Sequence, residues 1–125
     1  MDGIDASVIS SDGDREYSVI VDKYYKYENK FRDELARIRL KILTNEDLVS
    51  FRNEIAAIER ELTLLHATAA NDLVKNNDLN IDFIGFHGHT LFHDSIEKIS
   101  KQIGDGNLLS QLCKKDVIYL SLIHI

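Results

Sequence analysis

Three histidines and an aspartate crowd into one short segment, at His87, His89, His93 and Asp94. Imidazole nitrogens and carboxylate oxygens are common metal ligands, and histidines two residues apart on a strand would place both rings on one face. A small metal-dependent hydrolase is therefore one hypothesis. However, the two other histidines lie in a predicted helix and near the C-terminus, and no second acidic or histidine cluster supplies further ligands. We favour histidines that make hydrogen bonds in a cleft.

Glycines suggest a second kind of chemistry. At Gly88, Gly104 and Gly106 the backbone N–H groups could come close to a ligand. A turn that leads into a helix also presents unpaired N–H donors to an anion. Isolated glycines more often serve turn geometry, so these positions alone leave a phosphate-handling site as a hypothesis.

The composition limits the class of protein and its partners. The chain has 125 residues, a mass of 14.3 kDa and 44% hydrophobic residues, which suits one domain with its own core. Its net charge is -6 and its basic residues are scattered, so nucleic acid and anionic membrane surfaces are not expected partners. The lone Cys113 lies in an apolar stretch, and we expect a small core residue without chemistry.

No transmembrane or targeting segment is recognisable in the sequence. No apolar stretch approaches the roughly 18 to 20 residues needed to cross a bilayer. The start, Met1-Asp2-Gly3, lacks the cationic segment of a signal peptide. We therefore expect a cytoplasmic protein.

The N-terminal half predicts a β-hairpin and two helices. Residues Ile4–Ile9 and Tyr17–Tyr27 flank a turn cluster of serine, aspartate and glycine, which is typical of a hairpin. A first helix, from Glu28 to near Leu43, is indicated by apolar residues at helical spacing, namely Phe31, Leu35, Ile38 and Ile42.

Thr44 is placed to cap a second, long helix by accepting the backbone N–H near Asp47. The apolar stripe that follows comprises Leu48, Phe51, Ile55, Ile58, Leu62, Leu65 and Ala69. It continues to about Leu73 and predicts roughly 30 residues of helix, about 45 Å long. Because alanines and Leu64 widen the apolar face, we favour a helix laid across a sheet over a free coiled coil.

The C-terminal part predicts a buried strand, a short helix and a last strand. Residues Ile81–Phe86 are apolar at nearly every position, as in a strand buried on both faces. Residues 101–107 hold two glycines in a turn, and Asp105 or Asn107 could cap a helix through about Cys113. Residues Val117–Tyr119 form the last strand. This order of elements is that of an α/β fold.

Three segments, in order, resemble successive motifs of the anhydro-N-acetylmuramic acid kinases, bacterial sugar kinases of the actin-like ATPase superfamily. The segments are Met1-Asp2-Gly3-Ile4-Asp5, Ile84-Gly85-Phe86-His87-Gly88-His89-Thr90 and Gln102-Ile103-Gly104-Asp105-Gly106-Asn107. The resemblance covers residues 1–119. It implies an α/β fold that is a partial N-terminal lobe of such a kinase: the β-hairpin, two helices (one long), a buried strand, a short helix and a strand.

The resemblance also implies an activity. In that family ATP and water open the 1,6-anhydro ring of a sugar from peptidoglycan recycling while its 6-hydroxyl is phosphorylated, and Mg²⁺ accompanies the nucleotide. An acidic residue of the second lobe acts as the base, so no catalytic residue is assigned here.

By the same resemblance the phosphate-binding turn comprises Asp2, Gly3 and Asp5. The sugar cleft comprises His87, Gly88, Thr90, Gly104 and Asp105. The family usually has glutamine at the position of His89, which favours hydrogen bonding over metal binding.

The family pattern also extends beyond both ends of this chain. It has an apolar strand and a Gly-Thr-Ser sequence before the position of Met1, and a complete second lobe after that of Tyr119. Residues 120–125 would then be an aberrant apolar tail. We therefore expect the chain alone to be inactive and to bind neither ATP nor Mg²⁺ tightly. An alternative is a non-catalytic interaction module, or a subunit that pairs with a separately encoded remainder.

Overall fold

The computed structural model describes residues 2–94, 96 and 99–119, so the predicted apolar tail at residues 120–125 lies outside the described residues. The chain combines strands and helices, as predicted for an α/β fold. In chain order they are β1 (Gly3–Ser11), β2 (Tyr17–Lys26), α1 (Asn29–Lys41), α2 (Asn45–Ser50), α3 (Arg52–Asn76), β3 (Phe83–Phe86), β4 (His89–Asp94), β5 (Ile99–Ile103), α4 (Gly106–Cys113) and β6 (Asp116–Tyr119).

The predicted N-terminal hairpin is confirmed. Strands β1 and β2 pair antiparallel from Gly3 opposite Lys26 to Ser11 opposite Tyr17. At the turn the Asp12 carboxylate accepts the Asp14 backbone N–H at 2.9 Å, which stabilises the reversal of the chain.

Helix α1 confirms the first apolar stripe. Phe31, Leu35 and Ile38 are all buried in the core, and Ile42 is buried directly after the helix ends. The exposed fraction of each of these side chains is 4% or less. The helical spacing of the four residues therefore places one face of α1 against the rest of the molecule.

The prediction of a single long second helix is wrong in one respect. Thr44 does cap it: its hydroxyl accepts the Asp47 backbone N–H, while the Asp47 carboxylate accepts the Thr44 backbone N–H, as in a capping box. The helix is interrupted at Phe51, however, between α2 and α3. The interruption is slight, because the Phe51 N–H still bonds to Asp47 and the Ile55 N–H to Phe51, each at 2.9 Å. The apolar stripe continues across it undisturbed.

Helix α3 lies at the centre of the fold. It contacts β1, β5, α1, α2 and α4, and its Leu62 and Thr63 have no exposed surface. The predicted packing of this helix against strands, rather than in a free coiled coil, is thus confirmed. Within the described part of the chain, no helix is both long and apolar enough to span a membrane.

The C-terminal part contains one more hairpin than predicted. Strands β4 and β5 pair antiparallel, whereas β3 and β6 pair parallel. The interpretation of residues 101–107 as a turn is wrong at its start, because Lys101–Ile103 belong to β5. The strand predicted at Ile81–Phe86 exists as β3, but it is not buried on both faces: Phe86 is buried while Phe83 is 57% exposed. The predicted helix through Cys113 and the last strand are confirmed as α4 and β6.

Candidate sugar-binding site

Two loops touch at Gly88 and Gly104. Both glycines have positive φ, 71° at Gly88 and 146° at Gly104, a region that side chains disfavour. A Cβ atom on Gly88 would collide with the Ile103 carbonyl oxygen. A Cβ atom on Gly104 would lie 2.6 Å from the Phe86 ring and 3.2 Å from the Gly88 Cα atom. We call residues 87–88 and 104–105 together the glycine loop pair. Only glycine allows this close approach.

The second hairpin brings the loops of this pair to the same place. Residues 87–88 lead from β3 into β4, and residues 104–105 lead from β5 into α4. In the hairpin, His89 is opposite Ile103 and Thr90 is opposite Gln102. The two loops therefore lie at one end of the hairpin, and Thr90 is one residue further along it. The structure thus brings together the residues predicted for the sugar cleft.

Helix α3 holds the second loop through side-chain acceptors. The Gly104 backbone N–H donates to a Glu59 carboxylate oxygen at 3.0 Å. The Asp105 backbone N–H donates to the Thr63 hydroxyl at 2.9 Å, and that hydroxyl donates to the Glu59 carbonyl at 2.8 Å. Sequence reasoning did not find Glu59 or Thr63. The only indication in the sequence was that Thr63, a residue with a hydroxyl group, directly follows Leu62 of the apolar stripe.

Aromatic rings support the first loop. The Phe86 ring meets the rings of His66 and Tyr119 edge to face, with centroid distances of 5.1 and 5.5 Å. The His66 Nδ1–H donates to the Leu62 carbonyl at 2.8 Å, and burial lowers the pKa of this imidazole. The Tyr119 hydroxyl lies 3.1 Å from the position of a Cβ atom on Gly88. Burial, together with the negative charge of Glu59, raises the pKa of Tyr119.

The Asp105 side chain determines what the glycine loop pair can bind. Of the two predicted caps for α4, Asp105 is the one present: its carboxylate accepts the Leu108 N–H at 3.0 Å. This carboxylate occupies the helix end that an anion would need and adds negative charge there. The glycine loop pair is therefore poorly suited to phosphate. A carboxylate, the exposed His87 ring and the Thr90 hydroxyl are instead groups that can hydrogen-bond sugar hydroxyls.

The histidine segment does not have the predicted geometry. His87 lies in the loop and is exposed, whereas His89 lies in β4 and is only 4% exposed, so the two rings do not share a strand face. Among the described residues, no group of three or more His, Cys, Asp or Glu side chains is arranged to hold a metal ion. The structure does not bring His87, His89 and His93 into such a group.

His89 also departs from the prediction of hydrogen-bonded cleft histidines. Neither ring nitrogen has a hydrogen-bond partner among the described residues. Burial, followed by the positive charge of Arg39, lowers its pKa to about 4. His89 is therefore a buried neutral imidazole at neutral pH.

The residues predicted for the phosphate-binding turn lie at the start of β1. Asp2 and Asp5 are exposed and Gly3 is buried. The Asp2 carbonyl accepts the Tyr27 N–H at 2.8 Å, and a Cβ atom on Gly3 would strike the Tyr25 carbonyl oxygen and approach the Tyr24 ring to 2.7 Å. Gly3 is thus explained by packing against β2, and the phosphate-binding role of this turn stays a prediction.

A separate groove lies between α1 and α3. Its volume is about 330 Å³, and its charged lining residues are Glu34, Arg37, Glu54 and Glu61. Three carboxylates and one guanidinium would repel the phosphates of a nucleotide on balance. The groove is therefore a poor nucleotide site despite its size.

Comparison with known proteins decides between the hypotheses left open by the sequence. The sequence profile of the anhydro-N-acetylmuramic acid kinase family matches residues 1–119. The chain belongs to this family. Curated relatives named anhydro-N-acetylmuramic acid kinase include one from Pelagibacter ubique (strain HTCC1062), which is 49% identical over 119 residues, covering 95% of this chain and 32% of the relative. The one from Agrobacterium fabrum (strain C58 / ATCC 33970) is 36% identical over 126 residues, covering 95% of this chain and 33% of the relative.

The predicted resemblance is therefore confirmed over the predicted residues. The chain spans about a third of the length of these curated anhydro-N-acetylmuramic acid kinases. Its glycine loop pair includes Gly88 and Gly104, which lie in two of the three segments on which the resemblance was based.

Proposed function

We propose that this chain forms the N-terminal, sugar-binding part of an ATP-dependent kinase for 1,6-anhydro-N-acetylmuramic acid, within an actin-like lobe. The observation that carries the proposal is the family match over residues 1–119. The glycine loop pair supports it, because the neighbouring chain segments that meet there carry a carboxylate (Asp105), a hydroxyl (Thr90) and an exposed imidazole (His87). Such groups suit a ligand with many hydroxyls.

The proposed reaction joins ring opening to phosphoryl transfer. Water adds to C1 of the sugar and gives one proton to the base that the resemblance assigns to the second lobe, the bond between C1 and O6 breaks, and O6 takes the γ-phosphoryl group of ATP, leaving ADP. His87, Thr90 and Asp105 would bind and orient the sugar, while Gly88 and Gly104 allow the loops to approach each other. Asp2, Gly3 and Asp5 would face the phosphates, with Mg²⁺ accompanying ATP. The product would enter cytoplasmic peptidoglycan recycling.

We propose that these 125 residues have no turnover alone. Rate enhancement in phosphoryl transfer comes mainly from positioning and charge stabilisation around both substrates. The chain corresponds to about a third of its relatives, and the resemblance assigns the base to the part that it does not match.

The proposal is tested with a chimaera. Residues 1–119 of this chain would replace the matched region of the Pelagibacter ubique relative, so that the chimaera keeps the parts of the relative that precede and follow this region. We expect the chimaera, but neither part alone, to convert ATP and 1,6-anhydro-N-acetylmuramic acid to a phosphorylated sugar and ADP, detected by ³¹P NMR. A folded chimaera without product would contradict the proposal. Turnover by the 125-residue chain alone would contradict the proposed need for the second part.

A second proposal is that the chain works as a subunit of a split enzyme. The observation in its favour is the pair β3 and β6, because parallel strands are normally covered on both faces while Phe83 and Ile118 are 57% and 49% exposed here. Mixing the chain with the separately expressed second part of the Pelagibacter ubique relative should give a complex on size-exclusion chromatography. Elution of two separate monomers would count against this version.

A further inference from the structure

Three side chains on one face of α3 contact the glycine loop pair or the residue next to it. Glu59 and Thr63 accept the N–H groups of Gly104 and Asp105, and His66 packs its ring on Phe86, next to the first loop. Residues at these spacings face the same side of a helix. One rigid element therefore determines the position of both loops.

Thr63 is a polar residue at a core position where an apolar residue would be expected. Its side chain has no exposed surface, and valine has almost the same shape without a polar atom. Burying a hydroxyl is unfavourable unless it is hydrogen-bonded, and this one is bonded twice, to the Asp105 N–H and the Glu59 carbonyl. The hydroxyl therefore fixes a specific position for Asp105.

Glu59 acts in the same way on the neighbouring residue. Its carboxylate accepts the Gly104 N–H at 3.0 Å, and hydrogen bonds to a charged acceptor are stronger than those to a neutral one. Because Gly104 is packed against both Phe86 and Gly88, a shift of Gly104 would displace both loops together.

We infer that Glu59 and Thr63 are positioning residues that set the glycine loop pair in the geometry that binds the sugar. Neither side chain needs to touch the sugar itself. The inference rests on the proposed function for its substrate. It goes further by assigning sugar affinity to two residues of α3, outside the segments on which the resemblance was based.

The first test uses the 125-residue chain and measures backbone amide hydrogen exchange by NMR. Thr63→Val should speed the exchange of the Asp105 amide by about tenfold, because this N–H loses its acceptor, and Glu59→Ala should do the same for the Gly104 amide. Thr63→Ser should restore protection. Thr68→Val is the matched control: Thr68 lies on the same helix and its hydroxyl donates to the Leu64 carbonyl at 3.0 Å, but it is exposed. Unchanged exchange at Asp105 in Thr63→Val, or at Gly104 in Glu59→Ala, would overturn the inference.

The second test uses the chimaera and separates the two substrates. Thr63→Val and Glu59→Ala should each raise the KM for the sugar by about tenfold and leave the KM for ATP within about twofold. Thr63→Ser and Glu59→Gln, which keep an acceptor, should recover the original sugar KM. A merely structural role would instead raise both KM values or lower only the amount of active protein. Either of those results would overturn the inference.

The two tests also distinguish this inference from the proposed function. If the unsubstituted chimaera gives no product, the proposed function has failed, and the exchange measurement still decides whether α3 holds the loops. If the chimaera is active but Thr63→Val leaves the sugar KM unchanged, the positioning role has failed and the proposed function stands.

Discussion

His89 couples the stability of the fold to pH. Its imidazole is buried and its folded pKa is about 4, below the value of about 6.5 for an unfolded chain. Between these two pH values the unfolded state binds more protons, so the free energy of unfolding falls as pH falls. From pH 7 to pH 4 we expect a loss of about 3 kcal/mol from His89. The pKa of His66 is also lowered by burial, so His66 also lowers the free energy of unfolding as pH falls.

The measurement is urea denaturation at pH 7, 6, 5 and 4. His89→Gln should flatten the pH dependence over this range, because glutamine does not titrate. Thr68→Val, at an exposed position of α3, is the control and should keep the original slope, because neither side chain titrates. An identical slope in the His89→Gln variant would show that His89 is not held neutral.

Gly88 gives a prediction about close packing. Gly88→Ala should lower the free energy of unfolding by about 2 to 4 kcal/mol, because φ is 71° and the new methyl group would meet the Ile103 carbonyl. Gly13→Ala is a matched control, since Gly13 has φ of 81° but open space around it. That variant should lose only the backbone cost, about 1 kcal/mol. Equal losses in chemical denaturation would mean that the loops do not touch as described.

Much of the candidate site could be predicted from individual residues, but the α3 side chains that hold its loops could not. Gly88 and Gly104 were identifiable because glycine in a motif often marks close approach. Glu59 and Thr63 were not, because their partners are backbone N–H groups more than forty positions away in sequence. No local pattern reports such a long-range contact. The burial of His89 was likewise hidden, since its neighbours come from other elements.

At the level of elements, the cap of α2 offers a test of local stability. Thr44→Ala removes the acceptor for the Asp47 N–H and should cost about 1 kcal/mol in the free energy of unfolding. Thr68→Ala, at an exposed position inside α3, should be neutral or slightly stabilising because alanine favours helix. Both are measured by thermal unfolding followed by circular dichroism. A destabilisation no larger than that of Thr68→Ala would contradict the role of the capping box.

The elements were predictable where periodicity is strong. The apolar stripes identified α1 and α3, and the turn cluster of serine, aspartate and glycine between two strand-like segments identified β1 and β2. The interruption at Phe51 was invisible, because neither proline nor glycine marks it and the apolar spacing continues. Strands β4 and β5 were missed because the histidines of β4 were interpreted as chemistry. In β5 the three consecutive polar residues Ser100, Lys101 and Gln102 precede the buried Ile103, so the sequence shows no alternation of apolar and polar residues there.

At the level of the whole molecule, α3 organises three separate strand pairs. The described residues form three two-stranded sheets, and two-stranded sheets are marginal unless they pack against a helix. Helix α3 supplies that support through its contacts with β1, β5 and α4. The parallel pair keeps large apolar side chains exposed at Phe83 and Ile118. This exposed apolar surface is the one on which the proposed pairing with a second part depends.

We propose that this chain carries a sugar-binding side at the glycine loop pair and a nucleotide-binding side at the start of β1. The measurement that tests it most directly is a pair of KM determinations on the chimaera. His87→Ala should raise the KM for 1,6-anhydro-N-acetylmuramic acid by about tenfold and leave that for ATP within about twofold. Asp5→Asn should have the opposite effect: it should raise the KM for ATP or lower kcat, and it should leave the KM for the sugar unchanged. An unchanged KM for the sugar in His87→Ala would contradict the account. So would an Asp5→Asn variant in which only the KM for the sugar changes.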